Sequence, residues 1–182
     1  LKDIIKQGKV RQIGLSNENP WGLMRFIELS KKNLPKMISI QNPYSLLNRL
    51  FEVGNDEICI KENVGLLAYS PLGFGVLSGK YLGGKIPEDS RLKLFPNLKR
   101  FAGKESMNAA EHYMQIALKH GISLAQMSLA FVNSRRFVTS NIIGASKMYQ
   151  LKEIIESINI NLNDEILAEI ENVQNKIPNP AP

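Results

Sequence analysis

The stretch Leu66–Tyr81, LLAYSPLGFGVLSGKY, decides how the rest of the chain is read. Its first residues, Leu66 to Tyr69, make a short apolar run of the kind that forms a buried strand. The run meets Ser70 and Pro71, passes Gly73 and Gly75, and closes on Gly79 and Lys80. Glycine puts no side chain between backbone N–H groups and a ligand. Several N–H groups gathered after a strand, with a lysine at hand, suit a phosphate. Tyr69 stands where strand becomes loop and offers a flat face to a ring. The segment reads as a grip for a dinucleotide, which other parts of the chain complete.

Three more strands are expected on either side of it, at Val10–Leu15, Met37–Gln41 and Thr139–Ile143. Helical signals lie between them. Leu1–Gln7 ends at Gly8, a good C-cap. Asn19-Pro20 pairs an N-cap with a first-turn proline, and Leu23, Met24 and Ile27 follow at helical spacing. A helix opens at Asn55 or Asp56 and stops near Asn63. Others run from Ser106 to His120 and from Met148 to Ile158, and Ser123 with Gln126 makes a capping-box signature. A last helix begins at Asn163 and fades into a proline-rich tail. Residues 82–104 form a long irregular stretch, which in a compact domain is usually functional. Strands alternating with helices imply parallel strands joined by crossovers. Four such units are too few for a closed eight-stranded barrel of about 250 residues. They suit half of one, or a small open sheet.

The 182 residues are enough for one domain with a core, and 43% hydrophobic with 22% charged residues is ordinary for a soluble protein. No run approaches the roughly 18 apolar residues of a membrane span, and no signal-peptide pattern opens the chain. It begins on Leu1 inside a helical pattern, so it reads as part of a longer protein. The single Cys59 excludes an internal disulfide and a cysteine-rich zinc site. Lying between two isoleucines, it is expected to be a buried, inert thiol in a reducing, cytoplasmic setting. The net charge of +6 comes from lysines that are scattered and often paired with glutamate, so no nucleic-acid surface is expected.

Polar residues collect just past each expected strand, at Ser16-Asn17, Gln41-Asn42, Ser70 onward and Gly144 to Lys147. In barrels and open α/β sheets alike, that end carries the ligand. Two phosphate motifs fail here. A Walker A loop would need glycine where Phe74 stands and serine or threonine where Tyr81 stands. A Rossmann fingerprint would need its third glycine at Ser78 and an acidic residue downstream, where Lys80, Lys85 and Arg91 lie instead. Basic residues suit a ribose carrying a 2′-phosphate.

Taken together, GLSNE, IQNPYSLLNR, AYSPLGFGVLSGKY and IIGASKMYQL resemble, in order, the C-terminal half of aldo-keto reductases. The similarity is to the Tas-like branch and, more distantly, to the potassium-channel β subunits. It implies the second half of an (α/β)8 barrel of TIM type, with residues 1–182 forming one such half-domain, and NADPH bound at the C-terminal mouth. The resemblance implies that Ser16, Asn17 and Gln41 hold the nicotinamide carboxamide, a group that needs both donors and acceptors. It places Tyr69 against the nicotinamide ring and Ser70, Leu72, Gly73 and Gly75 around the pyrophosphate. Lys80 and Arg91 fall near the adenosine phosphate, and Ser146, Gln150 and Glu153 form the last cofactor cluster, with Lys147 adding charge. Ile154 stands where the family often has asparagine.

No catalytic residue is expected in this chain. The family's acid is a tyrosine whose pKa a neighbouring lysine lowers, with an aspartate and a histidine beside it, and these belong to the N-terminal half. His112 and His120 are expected at solvent-facing or helix-end positions. The implied function is the NADPH-binding half of an enzyme that reduces a small aldehyde or ketone. Alternatives are a non-catalytic NADPH-binding regulatory subunit and an inactive structural fragment. Half a barrel leaves its first and last strands as open edges and its inner face, expected to be apolar, uncovered. The chain is therefore expected to pair with its missing half or with a copy of itself.

Overall fold

The computed structural model describes residues 1–95 and 99–182, so the middle of the expected irregular stretch lies outside the described residues. In chain order the elements are α1 (Lys2–Lys6), β1 (Ile13–Ser16), α2 (Pro20–Ser30), β2 (Met37–Pro43), α3 (Asn55–Glu62), β3 (Gly65–Tyr69), α4 (Arg91–Leu94), α5 (Lys104–Lys119), α6 (Leu124–Asn133), β4 (Val138–Asn141), α7 (Met148–Glu156) and α8 (Asp164–Lys176). Among the described residues the strands form one parallel sheet in the order β1-β2-β3-β4. The α/β class and the parallel strands are as the sequence implies.

Helix starts follow the local chemistry. The Asn19 side chain accepts the Gly22 N–H at 2.9 Å, with Pro20 next in line where its missing N–H does no harm. Ser123 and Gln126 cap α6 reciprocally, and Asn163 caps α8. The helices cover one face of the sheet. Ile40, Leu66 and Ala68 are fully buried there against Leu23 and Ile27 of α2, Cys59 of α3 and Phe131 of α6. Each of the buried leucine and isoleucine side chains contributes about 1.5–3 kcal/mol by leaving water.

The other face corrects one expectation. An apolar inner surface was anticipated, but the registered rows are mostly small or polar. One row is Gly14, Ser39 and Gly65, and the next is Ser16, Gln41, Leu67 and Ser140. A Cβ on Gly65 would lie 2.2 Å from the Thr139 Oγ1, so the strands close up there only because that position is bare. The apolar residues went to the helix-covered face, where burial rewards them.

Strand bounds also shift. The first strand begins at Ile13 rather than Val10 because its partner begins at Met37, which leaves residues 10–12 nothing to pair with. It includes Ser16, paired with Gln41. The second strand runs on to Pro43, opposite Tyr69, where a turn was expected. The fourth is Val138–Asn141, shifted back from Thr139–Ile143. A bulge beside Leu66 and Leu67 takes up one residue, and the Ile142 N–H makes the last bond, to the Ala68 carbonyl.

The proline-rich end is docked. The Ala181 N–H donates to the Leu47 carbonyl, and the Asn179 Oδ1 accepts the Arg49 N–H at 2.7 Å.

Candidate functional site

The strands are parallel, so their C-terminal ends share one edge of the sheet. There the chain brings four of the expected residues into one bonded group. The Tyr69 hydroxyl donates to the Asn17 Oδ1 at 2.7 Å. The Asn17 Nδ2 donates to the Ser16 Oγ at 3.2 Å, and the Asn17 N–H to the Gln41 carbonyl at 2.9 Å. Asn17 holds a φ of +55°, in the left-handed region that asparagine tolerates better than most residues. Tyr69 is half-buried, so its ring is not a core aromatic. Ser16 and Asn17 are exposed. Beside the group lies a cleft of about 540 Å³, lined by Asn17, Tyr69, Asn42, Asn48, Asn55 and Arg100 among others.

The glycine loop turns tightly on itself. The Gly73 N–H donates to the Ser70 carbonyl and the Gly75 N–H to the Leu72 carbonyl, both at 2.9 Å. Those two N–H groups therefore shape the loop rather than point out of it. Gly73 is buried against Leu47 and Phe101. Gly75, at φ +94°, lies under the Lys80 side chain, and a Cβ there would fall 3.0 Å from the Lys80 Nζ. The Arg91 guanidinium sits 4.8 Å from the centre of the Phe74 ring, which joins α4 to the same loop. Lys80 and Arg91 thus both lean on the loop that follows β3.

The last expected cluster divides. The Gln150 Oε1 accepts from the Ser146 N–H, the Ser146 hydroxyl and the Lys147 N–H at 3.1–3.2 Å, so these residues act as one unit at the start of α7. The Glu153 carboxylate instead accepts from the Ser123 hydroxyl at 2.5 Å, tying α7 to the cap of α6. Sequence reasoning missed Asp89. Its carboxylate meets the Lys147 Nζ at 2.9 Å and so links the stretch after β3 to the loop after β4. That hydrogen bond and charge hold the Asp89 carboxyl below its usual range, with Lys80 adding to the effect, and they hold the Lys147 ammonium above its own. The only available signal was a carboxylate set among lysines and arginine.

Elsewhere, His112 is exposed and His120 lies at the C-terminal end of α5, 3.0 Å from Glu169. Cys59 is buried, and burial pushes its thiol up to about 12. No helix among the described residues is long and apolar enough to cross a membrane.

The aldo/keto reductase family profile matches residues 1–175. The protein called Tas of Escherichia coli K12 is 49% identical over 183 residues, covering 100% of this chain and 53% of that protein. An aldo-keto reductase of Babesia bovis is 41% identical over 85% of this chain and 57% of its own length. The L-glyceraldehyde 3-phosphate reductase of Escherichia coli K12 is 32% identical over 94% of this chain and 51% of its own. The chain spans about half the length of the curated relatives it matches.

Proposed function

The chain belongs to the aldo/keto reductase family, and from that membership we propose that it is the NADPH-binding half of a reductase acting on a small aldehyde or ketone. The observation that carries this reading is the bonded group of Ser16, Asn17, Gln41 and Tyr69 at adjoining strand tips. A carboxamide needs an acceptor for its NH2 and a donor for its oxygen, and two amides with a hydroxyl offer both. The half-buried Tyr69 ring supplies a flat apolar surface beside them. The nicotinamide, when bound, supplies a hydride.

The remaining residues fit the charged part of the same ligand. Lys80 and Arg91 bring two positive charges to the loop after β3, which suits a 2′-phosphate. Ser70, Leu72, Gly73 and Gly75 shape that loop for a pyrophosphate. Ser146 and Gln150 present polar groups from the opposite side, and the Lys147–Asp89 pair spans the gap between the two loops. Glu153 supports this side through Ser123.

The proton donor belongs to the half of the barrel that this chain does not span. Residues 1–182 are then one half-domain. Among the described residues its outer strands, β1 and β4, have one neighbour each, and unpaired strand edges seek partners. Next to β4 a groove of about 440 Å³ is lined by Ile143, Ile155 and Ile158, all exposed. We assign these edges to contact with the other half of the barrel, with a second copy serving when that half is absent. The relatives named for aldehyde or carbonyl reduction make a small carbonyl compound the fitting substrate class.

The test is NADPH titration, followed by cofactor fluorescence, alongside an aldehyde-reduction assay with and without the N-terminal half. Binding in both samples and reduction only with the added half is expected. Reduction by this chain alone would place the proton donor here, and no NADPH binding even with the added half would overturn the reading.

A further inference from the structure

Behind Asn17 lie two asparagines to which the strand-tip pattern gives no role. Asn42, in β2, and Asn55, the first residue of α3, both donate a side-chain N–H to the backbone carbonyl of Glu18, at 3.1 and 3.3 Å. Asn55 is 5% exposed and Asn42 is half-buried. The Oδ1 atoms of both are shut off from solvent and have no hydrogen-bond partner among the described residues. A buried amide oxygen without a partner is unfavourable, and an apolar side chain of similar size would avoid it. What the two amides achieve at that cost is one thing: they place two donors on a single carbonyl, enough to fill both of its lone pairs.

That carbonyl sits in a decisive place. Glu18 lies between Asn17, with its left-handed backbone, and Asn19, the cap of α2. The turn is therefore held at three successive residues. Asn17 is bonded to Gln41, Glu18 to the two amides, and Asn19 to Gly22. Loosening the middle hold frees the turn that aims the Asn17 amide.

We infer that Asn42 and Asn55 are positioning residues that act through the Glu18 carbonyl to aim Asn17, and so set the affinity for the nicotinamide end of the cofactor. The inference rests on the NADPH reading above. Neither side chain needs to touch the ligand.

The experiment measures dissociation constants of the protein for two ligands, NADPH and 2′,5′-ADP, which carries the adenosine phosphates but no nicotinamide. The variants are Asn42→Leu, Asn55→Leu and the double substitution. Asn42→Ser and Asn55→Ser also withdraw the amide donor while staying polar and adding no charge, and they decide the matter if the leucine variants do not fold. NADPH binding is expected to weaken about tenfold in the double variant, as for loss of one oriented hydrogen bond. Binding of 2′,5′-ADP is expected to stay within about twofold, since nothing at its end has moved. Parallel loss of both ligands would show a merely structural role and overturn the inference, as would no change in either. A wild-type protein that binds neither ligand would overturn the NADPH reading itself, and this inference with it.

Discussion

The Tyr69 hydroxyl reaches across the intervening strand β2 to donate to the Asn17 Oδ1 at 2.7 Å. One short bond thus joins the tips of β3 and β1 and holds an aromatic ring and an amide side by side. Tyr69→Phe keeps the ring and removes the bond. Stability should fall by about 1 kcal/mol in denaturant unfolding, with NADPH affinity changed by less than about threefold. Tyr69→Ala also removes the flat surface, and affinity should fall about tenfold. Equal affinities for the two variants would remove the ring from the account.

Asn17 combines a backbone role with a side-chain role, and two substitutions separate them. Asn17→Gly and Asn17→Ala both delete the amide, but only alanine is strained at φ +55°. Asn17→Ala should be less stable than Asn17→Gly by about 1 kcal/mol, while both lose NADPH affinity alike. Equal stability of the two would mean that the turn relaxes out of the left-handed region.

The Asp89–Lys147 pair predicts how the stretch around α4 is protected. The lowered carboxyl contributes above its ordinary 3.8, and that contribution is lost as pH falls through the depressed value. The raised ammonium contributes below its ordinary 10.5, and that contribution is lost as pH rises through the raised value. Between those limits the link should hold at constant strength. Across pH 6 to 9, Asp89→Asn should therefore be cleaved faster than wild type by a broad-specificity protease between Leu82 and Leu94. Reversing both charges, Asp89→Lys with Lys147→Asp, should restore protection. Cleavage that ignores both changes would sink the link.

Cys59 should report global unfolding. Its thiol is buried and held near 12, so almost no thiolate exists at pH 8. Labelling by a disulfide reagent should be negligible in the native protein and complete in denaturant. Rapid native labelling would show that α3 opens locally.

How far the sequence could be read follows from how local each determinant was. The caps at Asn19, Ser123 and Asn163 act within three residues of themselves, and each lies where its spacing put it. The alternation of strands and helices was legible for the same reason. Strand ends were less so, because the start of β1 depends on where Met37 begins its own strand. The polar inner face was missed because a strand buried on one side and bare on the other reads much like one buried on both. The docked tail was hidden by its composition. Prolines end a helix, and nothing local announces that Ala181 fits a fully buried position beside Leu47. Within the candidate site, Ser16, Asn17, Gln41 and Tyr69 stood out at the strand tips. Asn42 stood beside Gln41 at its strand tip without a visible partner, and Asn55 and Asp89 did not stand out, because each of the three acts through a residue distant in sequence.

The central claim is that separate strand tips serve one dinucleotide, and amide chemical shifts of the labelled protein during NADPH titration test it most directly. The account predicts that Ser16, Gln41, Tyr69, Gly75 and Ser146 shift together along one saturating curve, with 2′,5′-ADP moving only the Gly75 and Ser146 side. Shifts confined to one of these tips, or scattered over the helix-covered face, would contradict it.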